Sequence, residues 1–297
     1  MASLGKVLRR PQLRFGVGVL VPVAAWYILF SFRPVLQGLR MAVIDYDLLN
    51  PSASQFVGLE HFRTILTGYE LFWVASRNTL AFAAMLNAGM IPLALLLAHC
   101  LANVRRGRTF YQWALFVPVV VSMAAMALLW RFLMHPTGIL NSVLVAVGLG
   151  PSGWLTSPKT ALPALAMIEL WKALGGNVVI LTAGLLAIPV EFYDAARVDG
   201  AGPWQTFWRV TLPLLGHTLK LVGVLVLIGS LQTYTSAVIL TGGGPARATY
   251  MISQFVVSEA LVNFRFGLAA AAASLLFVVI FGATLAQLRL VRARWEY

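Results

Sequence analysis

The sequence predicts an all-α membrane protein with six transmembrane helices, and three observations carry that reading. Of 297 residues, 60% are hydrophobic and 11% are charged, against roughly 25% charged in a soluble domain. Six uncharged apolar runs recur along the chain, at about Phe15–Phe32, Asn78–Val104, Thr109–Trp130, Ala173–Val190, Leu221–Thr241 and Phe266–Gln287. Each is near the roughly 20 residues that a helix needs to cross the hydrocarbon. The third observation is a polar, helix-forming insert between runs four and five, at about 189–215, which gains nothing inside lipid. Lipid offers no hydrogen-bond partners, so the backbone must be satisfied within helices. A β-barrel would show short alternating segments instead.

Taken in order, residues 1–14 form a short basic tail. The first run is long, lacks a small-x-small cleavage site and continues into Phe32-Arg33-Pro34, so it reads as a retained span and not a signal peptide. A loop with a turn at Asn50-Pro51 leads to span two, and Trp73 suits an interfacial anchor. A tight basic turn, Asn103–Thr109, joins spans two and three. Between spans three and four, Ile139–Val147 is expected to form a short interfacial helix. After span five, Thr241-Gly-Gly-Gly-Pro245 opens a segment whose Ser253–Phe264 stretch reads as another short helix. In span six, Ala269–Ala273 with Ser274 lets a neighbouring backbone approach closely, either within this chain or in a second one. Residues 15–288 then form one membrane domain, and 289–297 a second basic tail. No internal repeat or soluble domain is visible.

The net charge of +12 is distributed by side and not as a nucleic-acid patch. Lys6, Arg9, Arg10, Arg14, Arg105, Arg106, Arg108, Arg197, Arg209, Lys220, Arg289, Arg292 and Arg294 fall on one topological side, 13 of the 22 basic residues. The positive-inside rule makes that side cytoplasmic, both termini included. Single Cys100 excludes an internal disulfide. Beside His99 it is a packing residue, since structural zinc wants four ligands.

Catalytic signatures are missing. The sequence has no Gly-x4-Gly-Lys-Ser/Thr loop, no Gly-x-Ser-x-Gly elbow and no His-Glu-x-x-His pair, so it is not expected to bind ATP, a metal or another cofactor itself. What remains are polar groups inside the spans. Glu169 and Lys172 lie three apart on span four and share a face. They suit either a self-neutralising pair or a solute pathway, because ionisable groups at membrane depth usually face a bundle interior or watery cavity. Ser230, Gln232, Thr233 and Tyr234 interrupt span five, and Gly175-Gly176-Asn177 is expected to loosen span four.

The insert carries Asp194-Ala-Ala196, then Gly200, then Val210-x-Leu212-Pro213. In register, this spacing resembles the EAA loop of ABC importer permeases, with Asp for Glu and Val for Ile. With Thr241–Pro245 and Phe56-Val-Gly-Leu-Glu-His-Phe62, the chain looks like a carbohydrate-uptake permease of the maltose type, which implies an oligosaccharide, disaccharide or glycerophosphate-type solute. The resemblance implies a cytoplasmic coupling helix near Val190–Asp199, started after Pro189, that docks on an ATPase through Asp194, Ala195, Ala196, Asp199, Gly200 and Pro213. It implies a second, different permease, two copies of a cytoplasmic ATPase that bind ATP and Mg, and an external solute-binding protein. Aligned on Trp171, it puts Glu169, Lys172 and Gly176 in the sugar pocket, and the same exercise adds Gly229 and Ser230. Gln232 and Tyr234 join the expected pathway as polar groups of the break in span five. The alternatives are an ion-coupled secondary transporter, which typically shows inverted repeats, and a non-transporting scaffold.

Overall fold

The computed structural model describes residues 11–47, 50, 52, 54–104 and 106–290. Both basic tails beyond those limits, Arg105, Pro51 and the side chain of Arg14 lie outside the described residues. Among the described residues the regular structure is helical, apart from a two-residue antiparallel ribbon, β1 (Ile44–Asp45) with β2 (Gln55–Phe56). Four helices among the described residues are long and apolar enough to cross a membrane: Phe15–Met41, Glu70–Asn103, Ala161–Leu186 and Phe266–Arg289. Two further pairs qualify only if each bent pair is one span. These are Arg108–Val120 with Met123–Leu133, bent by 95°, and Pro203–Leu214 with Gly216–Leu231, bent by 69°.

Several boundaries differ from the sequence expectation for local reasons. Span one runs past Arg33-Pro34 to Met41 through a π-turn at Ile28–Phe32. Proline cannot donate to the fourth residue back, and a wider turn just before it relieves that demand. The same device recurs at Phe207–Thr211, ahead of Pro213. Span two begins at Glu70, eight residues before the apolar run, and keeps Trp73 exposed. Span three is not one straight helix. Pro118 lies in its first half, and Ser122 restarts the second half as an N-cap, accepting from the Ala125 amide at 3.3 Å. Span four begins at Ala161 and runs unbroken to Leu186. Its glycines do not loosen it. They admit neighbours: a Cβ at Gly175 would stand 2.0 Å from Leu115 O, and one at Gly184 would stand 2.5 Å from Thr218 Oγ1.

The chain packs as two compact units. The described residues up to Gly68, with 258–274, form one. There His61 Nε2 lies 3.2 Å from Ile44 O, and Tyr46 meets Phe266 edge-on at 5.9 Å. Buried Glu259 accepts from Asn263 Nδ2 at 3.0 Å. Ala269, Ala271 and Ala272 are buried within the chain. Residues 69–257, with the described residues from Leu275 on, form the other unit. Its core runs along the long helices, through Phe82, Met90, Ala94, Leu165, Val178, Leu181 and Val222.

Two polar clusters fix loops of this second unit. Asn141 is 2% exposed. Its Oδ1 accepts from the Ser152 amide at 2.8 Å and Trp154 Nε1 at 3.0 Å, while its Nδ2 donates to Ser152 O at 3.0 Å. This ties the start of the helix Ile139–Ala146, expected from the sequence, to the chain that follows it. The second cluster holds the Gly-Gly-Gly-Pro segment. Asn78 Nδ2 donates to Arg247 O at 2.7 Å and Tyr250 O at 3.1 Å, and Thr79 Oγ1 accepts from the Ile252 amide at 3.0 Å. Buried Thr249 donates to Gly244 O at 2.7 Å. Gly242 and Gly243 take left-handed φ of 63° and 88°, which only glycine adopts without cost.

Candidate functional site: a polar cavity and an exposed helical insert

A cavity of about 320 Å³ opens among three helices of the larger unit. Helix Ala161–Leu186 presents Glu169, Ala173 and Asn177 to it, a single row at i, i+4 and i+8. Helix Glu70–Asn103 adds Leu86 and Met90, and helix Gly216–Leu231 adds Leu225, Val226, Gly229 and Ser230. The break after Leu231 supplies Thr233, Tyr234, Thr235 and Ser236. That break is real: Gln232 is the C-cap, Tyr234 has φ −136°, and a new helix runs from Thr235 to Thr241.

Of the seven residues expected in a pathway, the structure brings Glu169, Gly229, Ser230 and Tyr234 together. Lys172, Gly176 and Gln232 do not line this cavity. Lys172 lies on the neighbouring row, and its Nζ donates to Val119 O at 3.4 Å. A cation at the end of a half-helix suits the carbonyls that the break leaves unpaired. Among the described residues, Lys172 forms no ion pair with Glu169. Gln232 is exposed, one residue past the helix end.

Ser230 is 1% exposed, and its hydroxyl donates to Leu227 O at 2.8 Å while accepting from Asn87 Nδ2 at 3.2 Å. At Gly229 a Cβ would meet nothing within 4 Å, so its side of the cavity is open backbone. Sequence reasoning missed Asn177, Thr235, Ser236 and the supporting Asn87. For Asn177 the signal was its spacing of two turns from Glu169.

The insert forms the helix Val190–Val198 with Pro189 as its N-cap. Its end is a Schellman closure. The Ala201 amide donates to Ala196 O at 2.9 Å and the Gly200 amide to Arg197 O at 3.1 Å, with Gly200 at φ 74°. This explains glycine at position 200 by backbone geometry, since a Cβ there would enter open space. Ala196 is buried, and Thr211 Oγ1 lies 3.5 Å from Tyr193 Oη, so the helix rests on the π-turn at Phe207–Thr211. The opposite surface is bare: Val198 is 88% and Trp204 72% exposed. Asp194 pairs with Arg197 three residues on.

The comparisons agree with this geometry. Residues 90–295 match the family of the binding-protein-dependent transport system inner membrane component. The sn-glycerol-3-phosphate transport system permease protein UgpA of Agrobacterium fabrum is 32% identical over 272 residues, covering 91% of this chain and 92% of that one. The trehalose/maltose transport system permease protein MalF of Thermococcus litoralis is 28% identical over 293 residues, 98% of each chain. A bacterial alginate ABC transporter, solved in complex with an alginate pentasaccharide-bound periplasmic protein, has a chain that superposes with TM-score 0.83 at 26% identity. That match covers 98% of this chain and 99% of that one. With that family matched over more than half its length, the chain belongs to the binding-protein-dependent transport system inner membrane components.

Proposed function

We propose that this chain is one permease subunit of an ABC importer for a sugar or sugar-like solute, and that it forms half of the translocation pathway. The observation that carries the reading is the exposed helix Val190–Val198, closed at Gly200 and set in a chain of this family. Relatives named for glycerol phosphate and for trehalose and maltose, and the alginate transporter, place sugars and their derivatives first. In this reading each bent pair is one span, giving six, and the basic side with both termini is cytoplasmic. The helix Val190–Val198 is the coupling helix that docks on one of two ATPase copies. ATP and Mg bind there, not in this chain. A second, different permease completes the pathway, and an external binding protein delivers the solute. Glu169, Gly229, Ser230 and Tyr234 face that solute.

Asp194 is engaged with Arg197, so the docking contact falls mainly to the apolar surface around Val198. Gly200→Trp is expected to leave the protein inserted but abolish ATPase association and uptake. Normal uptake in a membrane-inserted variant would refute the coupling role. In a Cys100→Ala background, an impermeant thiol reagent added outside should label a cysteine at position 243 and not one at 197. The opposite pattern reverses the orientation.

A further inference from the structure

Among the described residues, the cavity of about 320 Å³ is lined by one side chain that is charged near neutral pH, Glu169, and by no lysine, arginine or histidine. Lys172, one turn along, gives its ammonium to Val119 O and stays outside the lining. Among the described residues Glu169 has no hydrogen-bond or ion-pair partner. Its negative charge is therefore not closed off by a paired cation, although the Lys172 ammonium one turn away offsets part of it at longer range, and the position is half-buried, where the effective dielectric is well below that of water. The rest of the polar lining is neutral, and the buried Ser230 hydroxyl already has both its donor and acceptor roles filled.

A carboxylate is acceptor-only, with two oxygens. Two neighbouring hydroxyls of a polyol match it, each donating to one oxygen. A phosphate ester or a uronate brings a second negative charge and, at that group, no proton to donate, so the pair repels. We infer that Glu169 is a specificity-determining residue, through which this half of the pathway favours uncharged polyhydroxylated solutes over anionic ones. The inference rests on reading the cavity as part of the solute pathway.

Solute selection by a binding protein would mask this property in an uptake assay, so the cavity itself has to be probed. The whole importer carrying Cys100→Ala and Thr233→Cys, reconstituted in proteoliposomes and turning over ATP, is treated with two methanethiosulfonates, one hydroxyethyl and one sulfonatoethyl. Rates are normalised to those with a free small thiol. Position 233 lines the same cavity as Glu169, and charges act on one another over about one Debye length (~8 Å). The uncharged reagent should then react roughly tenfold faster than the anionic one. Glu169→Gln should bring the two within about twofold, and Glu169→Asp should keep most of the preference. Co-purification of the partner subunits checks that each variant is assembled. Equal rates with Glu169 present overturn the charge selectivity and leave the pathway reading standing. An assembled complex that neither reagent labels overturns both.

Discussion

The helical insert at 190–213 and the glycine loop at 242–250 are both glycine-marked segments of the larger unit, yet they are built on opposite principles. The loop is held from outside itself: Asn78 and Thr79, about 170 residues earlier in the chain, take up its carbonyls and the first amide of the helix that follows. Gly243 is crowded, with a Cβ there meeting Gln254 Oε1 and the Tyr250 ring at 2.8 Å. The insert is held by its own backbone closure and by one packed side, and it leaves Val198 and Trp204 bare. A segment locked by long-range hydrogen bonds is made to stay. One closed locally, with apolar surface outside, is made to be covered by something else.

Substitutions sharpen that contrast in order of expected size. Asn78→Ala removes the donor for two loop carbonyls and should cost about 3 kcal/mol, read as a lowered melting temperature of the purified complex. A change within experimental error would mean that the loop does not depend on that contact. The two left-handed glycines make the sharpest pair. Gly243→Ala adds a tight contact to the backbone cost and should lose about 2 kcal/mol, whereas Gly200→Ala bears the left-handed cost alone, about 1 kcal/mol. Equal losses in parallel melts would erase the distinction between crowded and open. The smallest effect on folding belongs to Val198→Asp. At this exposure stability should change by less than about 0.5 kcal/mol, while ATPase co-purification falls at least tenfold. Retained co-purification would show that Val198 is not at the docking surface.

What was legible in the sequence follows the same division. The insert was legible through its resemblance to the EAA loop, which implies a helix near Val190–Asp199 after Pro189. The structure has one at Val190–Val198 with Gly200 at left-handed φ, and both its ends are set by neighbouring residues. Ile139–Ala146 and Ile252–Leu261 were readable from local signals. The cavity was half readable. Polar residues in apolar spans stand out, but a helix offers several rows, and sequence alone does not say which row faces inward. Sharing a face at i, i+3 favoured Lys172, while the structure uses i, i+4, i+8 and turns to Ala173 and Asn177. Gln232 fell out because the helix stops at Leu231, which no proline or glycine at that point announces. The 95° bend in span three falls at Val121–Ser122, just after Pro118, and its angle is not readable from those residues alone.

The glycine contacts of helix Ala161–Leu186 bear on how such a molecule moves. At Gly175 the neighbour is the Leu115 backbone itself, and at Gly184 it is the short, branched Thr218 side chain. Contacts this close leave no long side chain between the helices to switch rotamer and absorb a change of tilt. The first half of span three, span four and the start of helix Gly216–Leu231 should therefore travel as one rigid body. Displacement then concentrates where the helical ladder is already interrupted, at Val121–Ser122 and at Gln232–Tyr234. The second of these interruptions borders the cavity, so Thr233 and Tyr234 belong to both the joint and the polar lining, and a swing there would reshape the space that a solute would occupy.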